Sequence, residues 1–324
     1  MKRRGIGYSS IFYGTGYGNG FPDESRAEVE LNEEGKIIIY VGAAEVGQGA
    51  KSIMWQIAGE TLGIALDHIE IQNSSTDLYK DSGTAAASRQ TYNTGNAVLD
   101  ACRKLKENME QAFIHQGKDN FVIEDGLIKA DEYIYRLSEV HDIMKKNDVY
   151  TRVEGYFKAK TTSLDLETGQ GNPYWPYTFA VQKVIVEVDD ETGKVDVLEV
   201  TACNDSGKVI NPTLAEGQVQ GGCAMGIGYA LMEEVEIIEG KIKNTNFSDY
   251  IMPTSMDVPQ IKTIFIEEEE QSGPYGAKGL GETVTIPTAP AIINAIYDAV
   301  GVRIRDLPAT CEKVLKAIKN KEEV

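Results

Sequence analysis

Histidine is scarce in this 324-residue chain: three occur, His68, His115 and His141, and no two stand at a metal-ligand spacing. They read as ordinary core or surface histidines. Cysteine is scarce as well. Cys102, Cys203, Cys223 and Cys311 are widely separated and form no Cys-x-x-Cys pair, which excludes an iron–sulfur cluster or a structural zinc held by this chain alone. Reduced thiols of this kind fit an intracellular protein. Basic residues are outnumbered, with 32 Lys and Arg against 50 Asp and Glu, for a formal net charge of -18. Such a surface repels a phosphate backbone, so no nucleic-acid partner is expected. No apolar run reaches the roughly 18 residues of a membrane span. Met1-Lys2-Arg3-Arg4 has the charge of a secretory start, but residues 5–20 are rich in glycine and tyrosine and supply no apolar core behind it. The expected location is cytoplasmic, with no membrane partner. Neither Gly-x-x-x-x-Gly-Lys-Ser/Thr nor a properly placed Gly-x-Gly-x-x-Gly turn occurs, which argues against ordinary nucleotide binding.

What the chain does have is glycine, 32 in all, and patterned hydrophobicity. At this length it can bury a sizeable core, and about two domains are expected. Residues 5–20 read as a twisted strand and loop, or as a segment in which Phe12 or Tyr13 presents a ring to a flat ligand. Residues 27–31 and 36–42 predict a hairpin, and 50–62 a helix whose apolar stripe is Ile53, Met54, Ile57, Ala58 and Leu62. A strand at 68–72, a long helix at 92–115, and short strands around a helix at 138–146 follow. Gly169, Gly171, Pro173 and Pro176 break the pattern over 161–176 and mark an internal boundary. A second hairpin occupies 178–188 and 194–202. Asn211-Pro212 then opens a helix that runs through 227, and two amphipathic helices lie at 289–300 and 308–318. The expected fold is α+β: two subdomains of mixed sheets with packed helices, residues 1–165 and 166–324.

The candidate chemistry lies in glycine-rich stretches. Gly276-Ala277-Lys278-Gly279-Leu280-Gly281-Glu282-Thr283 sets one carboxylate among glycines that permit tight turns and close approach. It sits on a loop before helical patterning resumes at Pro287, a good place for a functional acid or base. Gly47-Gln48-Gly49 falls at a strand-to-helix turn, where free amides would accept an anionic or electron-rich group; an ordinary glycine turn is the alternative. Residues 82–91 are dominated by small side chains and hydroxyls. Gly217-Gln218-Val219-Gln220-Gly221-Gly222 lies inside a helix, where each glycine costs up to about 1 kcal/mol against alanine. That cost implies close approach of another helix or of a ligand.

Taken in order, Glu45-Val46-Gly47-Gln48-Gly49, Ser82-Gly83-Thr84-Ala85-Ala86, Ile210-Asn211-Pro212, Glu216-Gly217-Gln218-Val219-Gln220-Gly221-Gly222 and Gly276-Ala277-Lys278-Gly279-Leu280-Gly281-Glu282 resemble a known family. It is the C-terminal molybdopterin-binding half of the xanthine dehydrogenase and aldehyde oxidase family, and the resemblance covers essentially the whole chain. The tail from Asp306 to Val314 resembles the family's closing helix. The resemblance implies the family's molybdenum cofactor-binding fold, with molybdenum held by the dithiolene of a pterin, the pterin carrying a cytosine dinucleotide, and no metal ligand from the protein. It makes Glu282 the catalytic base. It places Gly47, Gln48, Gly49, Thr84, Ala85, Ala86, Ala87, Ser88, Arg89, Gln218 and Lys278 against the cofactor, and Tyr13, Ala85 and Ala86 against the substrate. Where some members carry serines this chain has Ala87 and Arg89, so Arg89 has a phosphate, a substrate carboxylate or an acidic neighbour as its candidate partner.

The family's iron–sulfur and flavin domains and its earlier molybdopterin half have no counterpart in the chain. The expectation is therefore one subunit of a split enzyme, resembling the medium molybdopterin-binding subunit of the nicotinate dehydrogenase type. Its partners would be a large molybdopterin subunit, an iron–sulfur subunit and an FAD subunit. The implied reaction is hydroxylation of an N-heteroaromatic ring, nicotinate to 6-hydroxynicotinate, with water as the oxygen source. The alternatives are purine hydroxylation, and a non-catalytic scaffold that completes a partner's cofactor cage.

Overall fold

Two stretches of strict in-out alternation seed two separate sheets. The computed structural model describes residues 1–18, 21, 23–124 and 126–322; the end of the expected N-terminal loop, Asn19 and Gly20, lies outside the described residues. After β1 (Lys2–Gly14) come β2 (Glu24–Leu31) and β3 (Ile37–Val41), the expected hairpin, with Ala27 opposite Val41 and Leu31 opposite Ile37. β2 buries Ser25, Ala27, Val29 and Leu31 and turns the residues between them outward. β3 is buried at nearly every position, as a central strand covered on both faces should be.

Helix α1 (Ala50–Leu62) matches the predicted span and ends on Gly63, whose φ of 68° only glycine adopts without strain. β4 (Ile69–Gln72) returns parallel to β3. A single π-turn, Gln90–Thr94, leads into α2 (Gly95–Ile114). β5 (Val122–Glu124), β6 (Leu127–Ala130) and β7 (Tyr133–Tyr135) form a small antiparallel meander, followed by α3 (Leu137–Lys146) and β8 (Arg152–Lys158). The sheet order is β4-β3-β2-β8. α2 lies across β2 and β8, and Gly155 lets it settle there, because a Cβ would strike Ala97 O and Ala101 N.

The other sheet has the order β1-β9-β10-β13. It is built from β9 (Tyr177–Asp189) and β10 (Val195–Asp205), followed by α4 (Pro212–Leu231), the short hairpin β11 (Ile237–Ile238) and β12 (Lys241–Ile242), and β13 (Ile261–Ile266). β10 runs antiparallel to β9 and parallel to β13. α5 (Glu282–Thr285), α6 (Thr288–Val300) and α7 (Cys311–Glu322) complete the chain. β9 buries Val184, Val186 and Val188 into one core with Ile227 of α4 and Ile292 and Ile296 of α6. Hydrophobic burial on this scale is the main force holding sheet to helices.

The compact units are not the contiguous stretches 1–165 and 166–324. One comprises Gly14–Pro176 with Glu269–Gly279; the other comprises Met1–Tyr13, Tyr177–Glu268 and Leu280–Val324. β1 joins the later strands because β9 supplies its ladder partner, and periodicity within β1 carries no record of that. The breaker segment does end where the units divide, between Pro176 and Tyr177. Among the described residues no helix is long and apolar enough to cross a membrane.

Candidate active site

The turn before α1 is closed by a carboxylate. Glu45 Oε1 accepts from the amides of Gly47 at 2.8 Å and Gly49 at 3.0 Å, and its Oε2 accepts from Lys51 N at 3.1 Å. Gly47 and Gly49 have φ of 99° and 84°, the left-handed backbone that aims these amides inward. Burial raises the pKa of the Glu45 carboxyl, but the hydrogen bonds from Gly49, Lys51 and Gly47 outweigh it and hold the group below its ordinary value. The expectation of free amides is corrected here: Glu45 already supplies these three amides with an anion. The side chain of Gln48 turns back on the same loop, with Oε1 accepting from Val46 N at 2.7 Å and Nε2 donating to Ala44 O at 2.9 Å. An amide has four hydrogen-bonding positions, so these two leave capacity for a ligand.

Residues 84–86 form an exposed tip standing on buried anchors. Ser82, fully buried, accepts from Gly42 N at 2.8 Å and donates to Arg26 O at 2.8 Å. Arg89, 1% exposed, pairs with Asp23 at 2.6 Å. It also donates to Ser82 O, Thr84 O and Glu24 O at 2.8, 3.2 and 2.7 Å. Of the three candidate partners for Arg89, the acidic neighbour is the one present, and the guanidinium holds the loop from beneath. Gln90 Nε2 donates to Thr84 O at 2.8 Å and Tyr17 OH bonds Thr84 Oγ1 at 2.6 Å. Ala87 and Ser88 both have positive φ, 58° and 53°, a local strain that the anchors sustain.

The same unit carries Glu269–Gly279, and here Gly279, next in sequence to the cofactor candidate Lys278, packs against the cofactor candidate Ser88. A Cβ on Gly279 would collide with Ser88 O, so only glycine fits beside that strained loop. Lys278 is 8% exposed. Ser272 pins the segment: its Oγ meets Tyr92 OH at 2.7 Å, donates to Glu270 at 2.6 Å and accepts from Trp175 Nε1 at 3.2 Å, while Asn96 donates to its carbonyl at 2.8 Å. Burial pushes the Tyr92 hydroxyl up to about 12, so it stays a neutral partner.

In the other unit Glu282, half-buried, is the first residue of helix α5 rather than part of a loop. The helical pattern resumes earlier than Pro287 implies, because Ile286 and Pro287 both hold right-handed helical angles and carry α5 on toward α6. The backbone is held on both sides of the carboxylate: Gln218 Nε2 donates to Leu280 O at 3.3 Å, and Ile286 N donates to Glu282 O at 3.0 Å. Asn211 caps α4 by accepting from Leu214 N at 3.0 Å, and Pro212 occupies the first turn. The glycines of α4 divide. A Cβ on Gly222 would strike Val284 and one on Gly226 would strike Thr288, whereas Gly217 and Gly221 face open space. Tyr13, half-buried, lies on β1 beside Phe12, whose ring stacks on Tyr177 at 4.5 Å and Phe179 at 5.2 Å.

Among the described residues no group of three or more His, Cys, Asp or Glu side chains could hold a metal ion. A metal at this chain would need its ligands from a non-protein group or another chain. Each unit by itself has features that suit a flat, heteroatom-rich group: in one, open space around Gly47 and unused amide capacity on Gln48; in the other, bare backbone at Gly217 and Gly221 of α4.

Residues 1–259 match the family model for the molybdopterin cofactor-binding domain. The chain belongs to this family. A putative xanthine dehydrogenase molybdenum-binding subunit of Escherichia coli (strain K12) is 34% identical over 322 residues, 96% of this chain and 42% of that protein. The aldehyde oxidoreductase structure from Desulfovibrio desulfuricans superposes with a TM-score of 0.84 at 32% identity, over 98% of this chain and 32% of that one. Quinoline 2-oxidoreductase from Pseudomonas putida 86 superposes with a TM-score of 0.83 at 28% identity, covering 98% and 42%. The molybdopterin-binding chain thus spans about two fifths, or less, of the length of these relatives. Its fold is the α+β molybdenum cofactor-binding fold of the xanthine dehydrogenase and aldehyde oxidase type.

Sequence reasoning missed Glu45, Asp23 and Ser272 as working parts. Glu45 left a signal, an acid two and four residues before glycines at a helix start. Asp23 left none, being 66 residues from the arginine that it pairs with.

Proposed function

We propose that the chain is the molybdopterin-binding part of a molybdenum hydroxylase that converts an N-heteroaromatic ring, nicotinate to 6-hydroxynicotinate, with Glu282 as base. One observation carries the reading: the glutamate of the glycine-rich motif has its backbone tied on both sides, by Gln218 and by Ile286, in a molybdopterin-binding family. When bound, the molybdenum–pterin group supplies a two-electron oxidant and activates water. Glu282 takes the proton from that water at a carboxylate oxygen as the new C–O bond forms. A ring C–H and one water become C–OH, releasing two protons and two electrons.

Gly47, Gln48, Gly49, Thr84 to Ser88, Gln218 and Lys278 are the proposed cofactor contacts, with a cytosine dinucleotide on the pterin. Arg89 acts through the loop that it holds. Ala85 and Ala86, small and exposed, are the proposed substrate contacts of one unit, and Tyr13 is the proposed contact of the other. Electrons leave to iron–sulfur clusters and FAD on partner chains, and a large subunit supplies the rest of the molybdopterin site. The relatives favour this class, since one carries a heteroaromatic substrate, quinoline, in its name. A purine substrate is the second reading, favoured by the relative named for xanthine dehydrogenase.

The test is Glu282→Gln in the purified complex. Molybdenum and pterin should stay at wild-type levels while turnover falls about 10²- to 10⁴-fold, the usual worth of a positioned base. Near-normal turnover removes the base and leaves the scaffold reading. Nicotinate and xanthine assayed side by side in ¹⁸O-water choose the ring, and label arriving from dioxygen would sink the hydroxylase chemistry.

A further inference from the structure

Among the described residues, nine buried side-chain nitrogen and oxygen atoms lack a hydrogen-bond partner, and six of them belong to one sheet and the helix over it. They are Oγ1 of Thr178, Thr263 and Thr283, Oγ of Ser206 and both amide atoms of Asn204. The register gathers them. Asn204 of β10 lies between Ala180 of β9 and Phe265 of β13; the next residue on that face, Ala202, lies between Gln182 and Thr263. Two residues beyond Asn204 and before Ala180, Ser206 and Thr178 extend the same face past the last ladder pair.

α5 and α6 lie on this face. Gln182 donates to Val284 O at 2.7 Å and accepts from Thr288 Oγ1 at 2.7 Å. From there α6 runs toward the Val188 end, because its Ala291 and Ala295 meet Gly7 and Gly5 of β1 and Lys2 of that strand reaches Glu187. Thr283, one residue before Val284, therefore falls toward the Asn204 end. Thr178 is fully buried, and Asn204, Thr283 and Ser206 are 1%, 1% and 4% exposed. Neither bulk solvent nor a chain docking from outside reaches them. Buried polar groups almost always find partners, and a buried water typically makes about three hydrogen bonds to groups that otherwise have none.

We propose that this end of the sheet is an internal water site, in which ordered water bridges the Asn204 amide to the surrounding hydroxyls and fixes the start of α5. Thr283 follows Glu282 directly, so the water holds the backbone that carries the carboxylate. The site stands without any reading of the reaction; its effect on turnover rests on Glu282 being the base.

A high-resolution structure of the protein as purified should show water within hydrogen-bonding reach of Asn204 and at least two of the hydroxyls. A dry site, or Asn204 paired directly with a side chain, overturns the site. Thr178→Val and Thr283→Val are nearly isosteric, and each should lower Tm by roughly 2–4 °C by stranding the water's other contacts. An unchanged or raised Tm means that the hydroxyls had no partner and overturns it equally. Thr283→Val should also lower kcat several-fold at unchanged KM and molybdenum content, with Thr283→Ser restoring it. A lowered Tm with normal kcat overturns the link to Glu282, whereas failure of the base assignment itself shows separately in Glu282→Gln.

Discussion

Glu45 accepts three amide hydrogen bonds at the head of α1, and its carboxyl sits below its ordinary value despite burial. The sign of the pH effect follows. The folded state binds the proton less readily than the unfolded one, so the stabilisation is complete above the ordinary carboxyl range and is lost as pH falls through the depressed value. Glu45→Ala should cost about 1 kcal/mol at neutral pH, the scale of a lost helix cap. Thermal unfolding of wild type and variant should converge as pH falls below the ordinary carboxyl range; parallel curves would show that the carboxylate does not cap. Arg89 makes the larger prediction. Asp23, 3% exposed, also accepts from Asn93 at 2.7 Å and Tyr17 N at 3.1 Å. Arg89→Met strands its charge, which should cost about 3–5 kcal/mol. Pairing the change with Asp23→Asn should recover part of that loss in denaturant unfolding; an additive double mutant would break the assignment.

At the scale of elements, α4 separates packing from exposure along one helix. Gly222 and Gly226 face Val284 and Thr288 with no room for a methyl group, whereas Gly217 and Gly221 face outward. Gly222→Ala should destabilise the fold. Gly221→Ala should raise stability by up to about 1 kcal/mol, since alanine favours a helix where nothing crowds it. If a flat cofactor approaches that bare backbone, Gly221→Ala should nonetheless lower the molybdenum retained by the complex. A stabilised variant with full cofactor would place Gly221 on plain surface. The glycine run was legible as close approach, but which glycine met which neighbour depended on α5 and α6, some 60 residues later. The helix at 50–62 was legible because its stripe and its terminal glycine agree. The position of Glu282 at a helix start was hidden by Pro287, which reads as a beginning although helical backbone already precedes it. Local signals name elements, and long-range partners decide their use.

For the whole molecule, the motif order made the family readable before any contact was known, because five separate motifs in one order are a pattern that composition alone does not produce. The division into units was not readable. It depends on β1 pairing with β9 across more than 160 residues, and hairpin periodicity is blind to such a pairing. The span of the chain bears on assembly. It covers 42% of the Escherichia coli relative, and the proposed pterin contacts all come from this part. An anionic cofactor meets a chain of net charge -18. Expressed alone, the chain should therefore fold and carry substoichiometric molybdenum, whereas co-expression with the proposed large subunit should bring metal and pterin to one per complex. Metal analysis and pterin fluorescence of the two preparations decide it. Stoichiometric molybdenum on the isolated chain would show that these contacts suffice and would remove the need for a partner at the cofactor.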